Sequence, residues 1–232
     1  MATSSTAINS AIDALLFDLD GTVLDTARDF EYVLNLQLAE HGRKPIDYQR
    51  LRGVVSSGAR AMVSLGFGID EEHPEFDTLK QQFLTLYGNY LCSASRLFPG
   101  MSEVIDWAQR EAIPMAIVTN KPSTFTLPLM DKLKLSQYFA SIVCPDHVTH
   151  AKPHPEPILL ACKQLNVTPH RCLYIGDHLR DIEAGRHAAM ATVACRYGYI
   201  ADGEQVEDWQ PDFIIDAADQ LIALCQSIAD KA

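Results

Sequence analysis

The chain has 232 residues, of which 47% are hydrophobic and 21% are charged, and this composition is typical of a soluble globular protein with one domain or one domain carrying an inserted lobe. Its formal net charge of −11 argues against nonspecific binding to nucleic acid or to anionic membranes, since both need basic surface. An anionic substrate would therefore need a local positive site.

Residues 1–13 have neither a basic start nor an apolar core, so they do not form an evident signal peptide. No apolar run approaches the roughly 20 residues of a membrane-spanning helix, and we expect a cytoplasmic protein. The six cysteines form no C-x-x-C pair. Cys144, Cys172 and Cys195 lie in apolar runs, so we expect buried, reduced thiols rather than disulfides.

The first predicted strand, residues 14–17 (ALLF), ends in Asp18, and Asp20 follows across a tight turn that Gly21 permits. Two carboxylates this close repel each other unless a cation or a proton lies between them. Mg²⁺, with its preference for hard oxygen ligands, fits such a pair. A pair of capping aspartates at a turn is the alternative interpretation, and it would be preferred for an isolated D-x-D.

The stretch from residue 26 to residue 96 contains no convincing strand. Residues 28–42 and 74–93 instead show the apolar spacing of helices. The apolar residues at helical spacing in the second stretch, which we expect to be core, are Phe76, Leu79, Phe83, Leu86 and Tyr90. We therefore predict a helical lobe, residues 26–96, inserted into a core domain formed by residues 1–25 and 97–232.

The rest of the chain alternates short apolar runs with helical patterns. Together with residues 14–17, the predicted strands are residues 115–119, 141–144, 172–176, 192–195 and 213–216. The predicted helices are residues 101–111, 123–134, 155–165, 180–188 and 217–228. This alternation predicts an α/β fold with a parallel sheet, whose active site lies beyond the carboxyl ends of the strands.

Polar side chains stand at the ends of these strands in a fixed order. Thr119 and Asn120 end the strand in "IVTNK", and Lys152 precedes a proline-led helix in "AKPHPEP". Asp177 ends the strand in "YIGDHLRD", with Asp181 four residues on. With the first acid pair, these four motifs resemble those of the haloacid dehalogenase superfamily of phosphohydrolases over nearly the whole chain.

The resemblance implies a Rossmann-like core with helices on both faces of the sheet, and a mobile all-helical cap over residues 26–96. It also implies that Asp18 is the nucleophile that forms an aspartyl-phosphate. Asp20 would protonate the leaving alcohol and then activate water. Dehalogenases of the family lack this second aspartate, so its presence favours phosphate esters as substrates.

Further roles follow from the same resemblance. The Mg²⁺ ligands would be the carboxylates of Asp18 and Asp177 and the backbone carbonyl of Asp20. The phosphoryl oxygens would be held by Thr119, Lys152, the amide of Asn120 and the turn amides of Leu19 and Asp20. Lys152 would also offset the repulsion between Asp18 and Asp177. Asp181 would orient metal-bound water. His178 stands where many relatives have Asp or Ser, and it would either bond a metal-bound water or face the loop.

Within the superfamily, "LFDLDGTVLDT", "FPGM", "TNKP", "KPHPEP" and "IGD" resemble the phosphoglycolate phosphatase branch. More closely, "SSGARAMVSLGFG", "CPDHV", "EPILLACKQLN", "LRDIEAGRHA" and "RYGYI" resemble bacterial N-acetylmuramic acid 6-phosphate phosphatases, which serve cell-wall recycling. Both substrates are small anionic phosphate esters that carry a carboxylate. The catalytic motifs do not choose between them.

Substrate specificity is expected in the helical lobe, where Ser57 and Gly58 begin a helix whose free amides favour an anion. Arg60 lies in the first turn, where the helix dipole disfavours a cation. We expect Arg60 to bind a substrate carboxylate, with a solvated surface arginine as the alternative. His147, His150 and His154, in a proline-rich loop, match no metal motif and are interpreted as loop residues.

Two other functions stay open at this point. A phosphomutase of the same superfamily would share all four motifs, and a non-catalytic binding module would share the fold. The presence of both Asp18 and Asp20 argues against the second. The oligomeric state, monomer or dimer, has no signature in the sequence.

Overall fold

The computed structural model describes residues 12–230. The segment 1–13, for which no signal peptide is expected, lies outside this range except for its last two residues. None of the helices within residues 12–230 is long and apolar enough to cross a membrane.

The described part of the chain forms eight β-strands and nine α-helices. The strands are β1 (Ala14–Phe17), β2 (Leu24–Asp25), β3 (Arg96–Leu97), β4 (Met115–Val118), β5 (Ser141–Val143), β6 (Cys172–Gly176), β7 (Ala191–Cys195) and β8 (Phe213–Ile215). The helices are α1 (Ala27–Glu40), α2 (Tyr48–Arg52), α3 (Gly58–Phe67), α4 (Phe76–Asn89), α5 (Met101–Arg110), α6 (Ser123–Lys132), α7 (Glu156–Leu165), α8 (Leu179–His187) and α9 (Gln220–Ala229).

Six of the strands form one parallel sheet in the order β5-β4-β1-β6-β7-β8, which confirms the predicted fold class. β1 lies in the middle, with Leu15 opposite Met115 of β4 on one side and Leu173 of β6 on the other. The carboxyl ends of β1, β4 and β6 are therefore adjacent. Each predicted strand agrees with the structure to within one residue at either end.

Both faces of the sheet are covered by helices. Leu15 and Phe17 point to the face that packs against apolar residues of α5, α6 and α9. Leu16 and Tyr174 point to the opposite face, against α7 and α8. Because side chains alternate along a strand, a run buried on both faces must be apolar throughout. Each large apolar side chain buried in this way contributes about 1.5–3 kcal/mol.

The helical lobe leaves the core after β2 and returns through β3, and these two short strands pair antiparallel. Within the lobe, α1 packs against α2, α3 and α4. The expected apolar face of α4 is partly wrong: Tyr90 is 38% exposed, whereas Tyr87 is buried. The helix ends at Asn89, so Tyr90 lies beyond the last helical residue and turns onto the ring of Tyr32.

All six cysteines are free, and Cys144, Cys172 and Cys195 are buried as predicted. Tyr199 connects the lobe to the core, since its hydroxyl accepts the backbone N–H groups of Thr26 and Ala27 at the start of α1.

Candidate active site

The sheet register places the strand-end side chains at one edge, around a cavity of about 420 Å³. Asp18 follows β1 and Thr119 follows β4, and both line the cavity, together with Asp20 and Asn120. Residues of the helical lobe form much of the remaining wall. The large apolar side chains that line the cavity are Phe30, Val55, Met62, Phe83, Leu84, Tyr87 and Phe125. The cavity thus has a charged floor and an apolar wall.

A buried lysine neutralises part of this acidic edge. The Lys152 Nζ lies 2.9 Å from Asp18 Oδ1 and 2.8 Å from Asp181 Oδ1, and it donates to the carbonyl of Val118 and the hydroxyl of Tyr174. Burial alone would lower the pKa of Lys152, but the charges of Asp18 and Asp181 outweigh it and raise that pKa. We expected this lysine to offset Asp18 and Asp177, whereas its carboxylate partners are Asp18 and Asp181.

Asp177 is held by neutral donors instead. Its Oδ1 accepts the hydroxyl of Thr22 at 2.9 Å, and its Oδ2 accepts the backbone N–H of Tyr199 at 2.8 Å. Burial and the charges of Asp18 and Asp181 raise the pKa of Asp177 to about 8. A Cβ added at Gly21, where φ is +87°, would lie 2.0 Å from the Asp177 carboxylate. Only glycine therefore fits the turn after the first acid pair.

The carboxylates of Asp18, Asp177 and Asp181 form a group that fits a metal ion. Their ligand atoms all lie within 4.8 Å of one another. Burial raises the pKa of Asp181 to about 6, although the nearby Lys152 charge opposes this shift. The raised pKa values of Asp177 and Asp181 indicate that these buried carboxylates are short of positive charge, which a divalent cation supplies. The donor set contains no thiol or imidazole, which disfavours the softer metals.

Asp20 is held by a residue that is not among those predicted for the site. Lys121 Nζ donates to Asp20 Oδ1 and Oδ2 at 3.0 and 3.2 Å, and also to the hydroxyl of Tyr87 at 2.7 Å. The hydroxyl of Thr26 donates to the same carboxylate at 2.6 Å. Lys121 is buried, and its ammonium lies 4.8 Å from the ring centre of Phe30. The sequence signal is its place directly after Thr119 and Asn120.

The predicted phosphate-binding residues are arranged around Asp18 and Lys152. The Leu19 amide donates to Asp18 Oδ1 at 2.7 Å. The Asn120 side chain bonds the backbone of Lys152 in both directions, donating to its carbonyl at 2.9 Å and accepting its N–H at 3.1 Å. Asn120 thus ties the second motif to the third, while Thr119 Oγ1 accepts the Lys121 N–H at 3.1 Å.

His178 faces its own loop, one of its two expected positions, and caps α8. The His178 Nδ1 accepts the backbone N–H of Arg180 at 3.1 Å, while the backbone N–H of His178 donates to Asp181 Oδ2 at 3.1 Å. Burial and the Arg180 charge lower the pKa of His178 to about 4, so the imidazole is neutral at pH 7. His178 and Arg180 both line the cavity.

The loop of the helical lobe also reaches the cavity. Ser57, Gly58 and Arg60 line it, and α3 begins at Gly58. The Arg60 side chain is 62% exposed and forms an ion pair with Glu71. The role of Arg60 in binding a substrate carboxylate stays a prediction.

A second group of metal-ligating atoms lies outside the cavity. His150, His154 and Glu156 have ligand atoms within 4.8 Å of one another. The Glu156 carboxylate accepts the backbone N–H groups of Thr149 and His150 at 2.9 and 3.0 Å. These hydrogen bonds close the loop before α7, and this explains why the three side chains lie close together.

Comparisons of the sequence and the fold with known proteins identify similar phosphatases. The sequence model of the haloacid dehalogenase-like hydrolase family matches residues 15–195 of the chain. The chain is 46% identical over 219 residues to an N-acetylmuramic acid 6-phosphate phosphatase of Pseudomonas aeruginosa, covering 92% of this chain and 97% of that protein.

More distant relatives have a different substrate in their names. A phosphoglycolate phosphatase of Agrobacterium fabrum is 37% identical over 204 residues, covering 87% of each chain. Among solved structures, a predicted phosphoglycolate phosphatase from Haemophilus somnus superposes with a TM-score of 0.81 at 25% identity. That alignment covers 92% of this chain and 97% of the other.

Proposed function

The chain belongs to the haloacid dehalogenase-like hydrolases and is a phosphoric monoester hydrolase, and on this premise we propose that its substrate is N-acetylmuramic acid 6-phosphate. The observation that carries the choice is the 46% identity to a phosphatase of that name over 92% of the chain. A cavity of about 420 Å³ with seven large apolar side chains in its wall also suits an amino sugar better than the two-carbon glycolate. Phosphoglycolate is the second candidate, because of the 37% identical relative.

We propose Mg²⁺ as the cofactor of this site. Asp18, Asp177 and the backbone carbonyl of Asp20 would hold it, and Asp181 would orient its water. The bound ion would supply positive charge for the phosphoryl oxygens, which phosphoryl transfer requires.

Asp18 is the proposed nucleophile. Lys152 and the Leu19 amide both contact its Oδ1, and these contacts fix the direction of the carboxylate. A bond forms between an Asp18 oxygen and phosphorus while the bond from phosphorus to the leaving oxygen breaks. Lys152 and Thr119, with the amides of Leu19, Asp20 and Asn120, hold the phosphoryl oxygens during this exchange.

Asp20 is the proposed acid and base. In the first half-reaction it gives its proton to the leaving sugar oxygen. In the second half-reaction it takes a proton from water, which attacks phosphorus and breaks the bond to Asp18. Lys121 and Thr26 hold the Asp20 carboxylate in place.

We further propose that the helical lobe, residues 26–96, acts as a cap domain on a core formed by residues 1–25 and 97–232. The β2–β3 pair joins the two segments. Side chains on α1, α3 and α4 line the cavity above the charged edge. A lobe placed in this way excludes water from the reacting phosphoryl group and contacts the leaving alcohol.

Phosphate release from a panel of esters tests this assignment. The panel contains N-acetylmuramic acid 6-phosphate, N-acetylglucosamine 6-phosphate, 2-phosphoglycolate and β-glucose 1-phosphate. We expect kcat/KM for the first to exceed that for 2-phosphoglycolate by at least about tenfold, a difference of 1.4 kcal/mol in transition-state binding. A preference for 2-phosphoglycolate would contradict the substrate assignment, and isomerisation of β-glucose 1-phosphate without phosphate release would indicate a mutase.

A further inference from the structure

Four basic side chains line the cavity, and they differ in their partners. Arg60, Lys80 and Lys121 each form an ion pair with a carboxylate, from Glu71, Asp77 and Asp20 respectively. Arg180 forms no ion pair with any carboxylate of residues 12–230. It is therefore the cavity-lining cation whose charge remains available to a ligand.

The position of Arg180 in its helix is unfavourable for a cation. It is the second residue of α8, Leu179–His187, where the positive end of the helix dipole repels positive charge. An arginine gains nothing for helix stability at this place. A ligand anion in the cavity would offset the repulsion.

A neutral partner fixes the guanidinium in place. Arg180 Nε donates to His178 Nδ1 at 3.2 Å, the same nitrogen that accepts the Arg180 backbone N–H. The imidazole in turn stacks on Trp209 of the core, with ring centres 6.4 Å apart. His178 therefore orients the guanidinium without cancelling its charge.

We propose that Arg180 binds the carboxylate on the leaving alcohol of the substrate and that His178 is its positioning residue. This inference rests on the proposed function, in which the leaving alcohol carries a carboxylate. The phosphoryl group already faces Lys152 and Thr119, so the second anionic group of the substrate takes the remaining cation. A guanidinium can meet a carboxylate through two parallel hydrogen bonds, which fixes orientation as well as adding energy.

This assignment differs from the expectation for Arg60. Arg60 is 62% exposed and already paired with Glu71, and an exposed pair contributes little to binding. Arg180 is half-buried and lies on the core, so it holds its position whatever the helical lobe does.

The test compares two substrates that differ in one group. N-acetylglucosamine 6-phosphate lacks only the lactyl ether, with its carboxylate, of N-acetylmuramic acid 6-phosphate. For Arg180→Met we expect the ratio of kcat/KM on the muramic acid substrate to kcat/KM on the glucosamine substrate to fall at least about tenfold. Arg180→Lys, which keeps the charge without the planar fork, should lose less of this ratio than Arg180→Met.

Two further variants separate positioning and competing roles. His178→Asn keeps an acceptor at the N-cap of α8 but removes the imidazole that holds the guanidinium, so it should lower the same ratio. Lys163→Met, which removes an exposed cation of α7 that does not line the cavity, should leave the ratio at the wild-type value.

Two results for Arg180→Met would overturn the inference. Equal losses of kcat/KM on both substrates would show that Arg180 acts on the phosphoryl group. No loss on either substrate would show that Arg180 does not bind the substrate. A fall in the ratio with Arg60→Met but not with Arg180→Met would return the carboxylate to Arg60. If wild type instead prefers 2-phosphoglycolate, the proposed function fails separately, and the same variants are compared on 2-phosphoglycolate and ethyl phosphate.

Discussion

Asp18 is the proposed nucleophile, and its contacts allow a close test with a neutral substitute. Asn at this position keeps the volume and a hydrogen-bonding oxygen for Lys152 and for the Leu19 amide, but an amide does not attack phosphorus. We expect Asp18→Asn to lower kcat by roughly 10⁴-fold or more, the scale seen when a nucleophile is removed. Phosphate release measures the loss, and a circular dichroism spectrum equal to wild type excludes unfolding.

Wild-type enzyme quenched during turnover should carry one phosphate on Asp18, which peptide mass spectrometry locates. Substantial activity of the Asn variant at neutral pH, with deamidation excluded by its mass, would rule out covalent catalysis by this residue.

At the scale of elements, one hydrogen bond joins α4 of the helical lobe to the lysine that holds Asp20, the proposed acid and base of the core. Tyr87 of α4 accepts a hydrogen bond from Lys121, which donates to Asp20. The lobe is therefore linked through Lys121 to the carboxylate proposed to give and take the proton. General acid–base catalysis is worth about 10²–10⁴-fold, and misplacing the carboxylate forfeits part of it.

We expect Lys121→Met to lower kcat on an alkyl phosphate by about 10–100-fold, part of that contribution. The loss on p-nitrophenyl phosphate should be several-fold smaller, because its leaving group departs without a proton. Tyr87→Phe, which removes one hydroxyl from the same chain of contacts, should show the same pattern with a smaller loss. Steady-state kinetics on both esters measures the difference.

Tyr32→Phe is the matched control, since Tyr32 is a half-exposed tyrosine of α1 outside the cavity. Equal losses on the two esters in Lys121→Met would mean that this lysine serves phosphate binding or folding instead of proton transfer.

The elements also show which parts of the fold the sequence predicts. The six core strands are continuous apolar runs such as residues 14–17. Because both faces of such a strand are buried, the strand ends where polar residues begin, and its bounds can be read from the sequence. The pair β2–β3 has two residues in each strand, too few for any periodicity. The five-residue α2 depends on the Asp47 side chain that accepts the Gln49 N–H, a local cap rather than an apolar pattern.

The site divides in the same way. Asp18, Thr119 and Asp177 were predictable because each ends a strand, and the parallel register of β1, β4 and β6 brings strand ends together. Lys121 and Arg180 were not, because the roles proposed for them depend on contacts that no local pattern encodes. The role of Lys121 depends on its contact with Tyr87, 34 positions away. The role of Arg180 depends on its having no carboxylate partner within the described chain.

At the scale of the whole molecule, a chain of net charge −11 needs a local positive site to bind an anion. Four basic residues line one cavity, and Lys152 lies buried against Asp18. Against these stand three clustered carboxylates; Lys152 offsets part of their mutual repulsion, and the raised pKa values of Asp177 and Asp181 show that these two retain protons more readily than a free carboxyl. Stability, pH and metal binding are therefore linked.

The sign of this linkage follows from the two raised pKa values. Asp177 has a pKa of about 8 and Asp181 of about 6 in the fold, against about 3.9 in an unfolded chain. The folded protein therefore binds more protons, and the stability these two groups contribute is fully present below about pH 4. It is lost as the pH rises through 6 and then 8.

Mg²⁺ binds the deprotonated carboxylates, so its stabilising effect should grow over the same range of pH. We expect the rise in Tm on adding Mg²⁺ to protein treated with a chelator to be larger at pH 8.5 than at pH 5.5. A hundredfold excess over Kd stabilises by about 2.7 kcal/mol, which is roughly 5–11 °C for a chain of this size. Thermal unfolding in matched buffers gives the two shifts, and chelation should also abolish phosphate release.

Asp177→Asn is the control: it removes one proposed ligand together with the group of higher pKa, so its Tm should respond little to Mg²⁺ at either pH. An equal Mg²⁺ shift at both pH values, or a larger one at pH 5.5, would show that these carboxylates do not bind the ion.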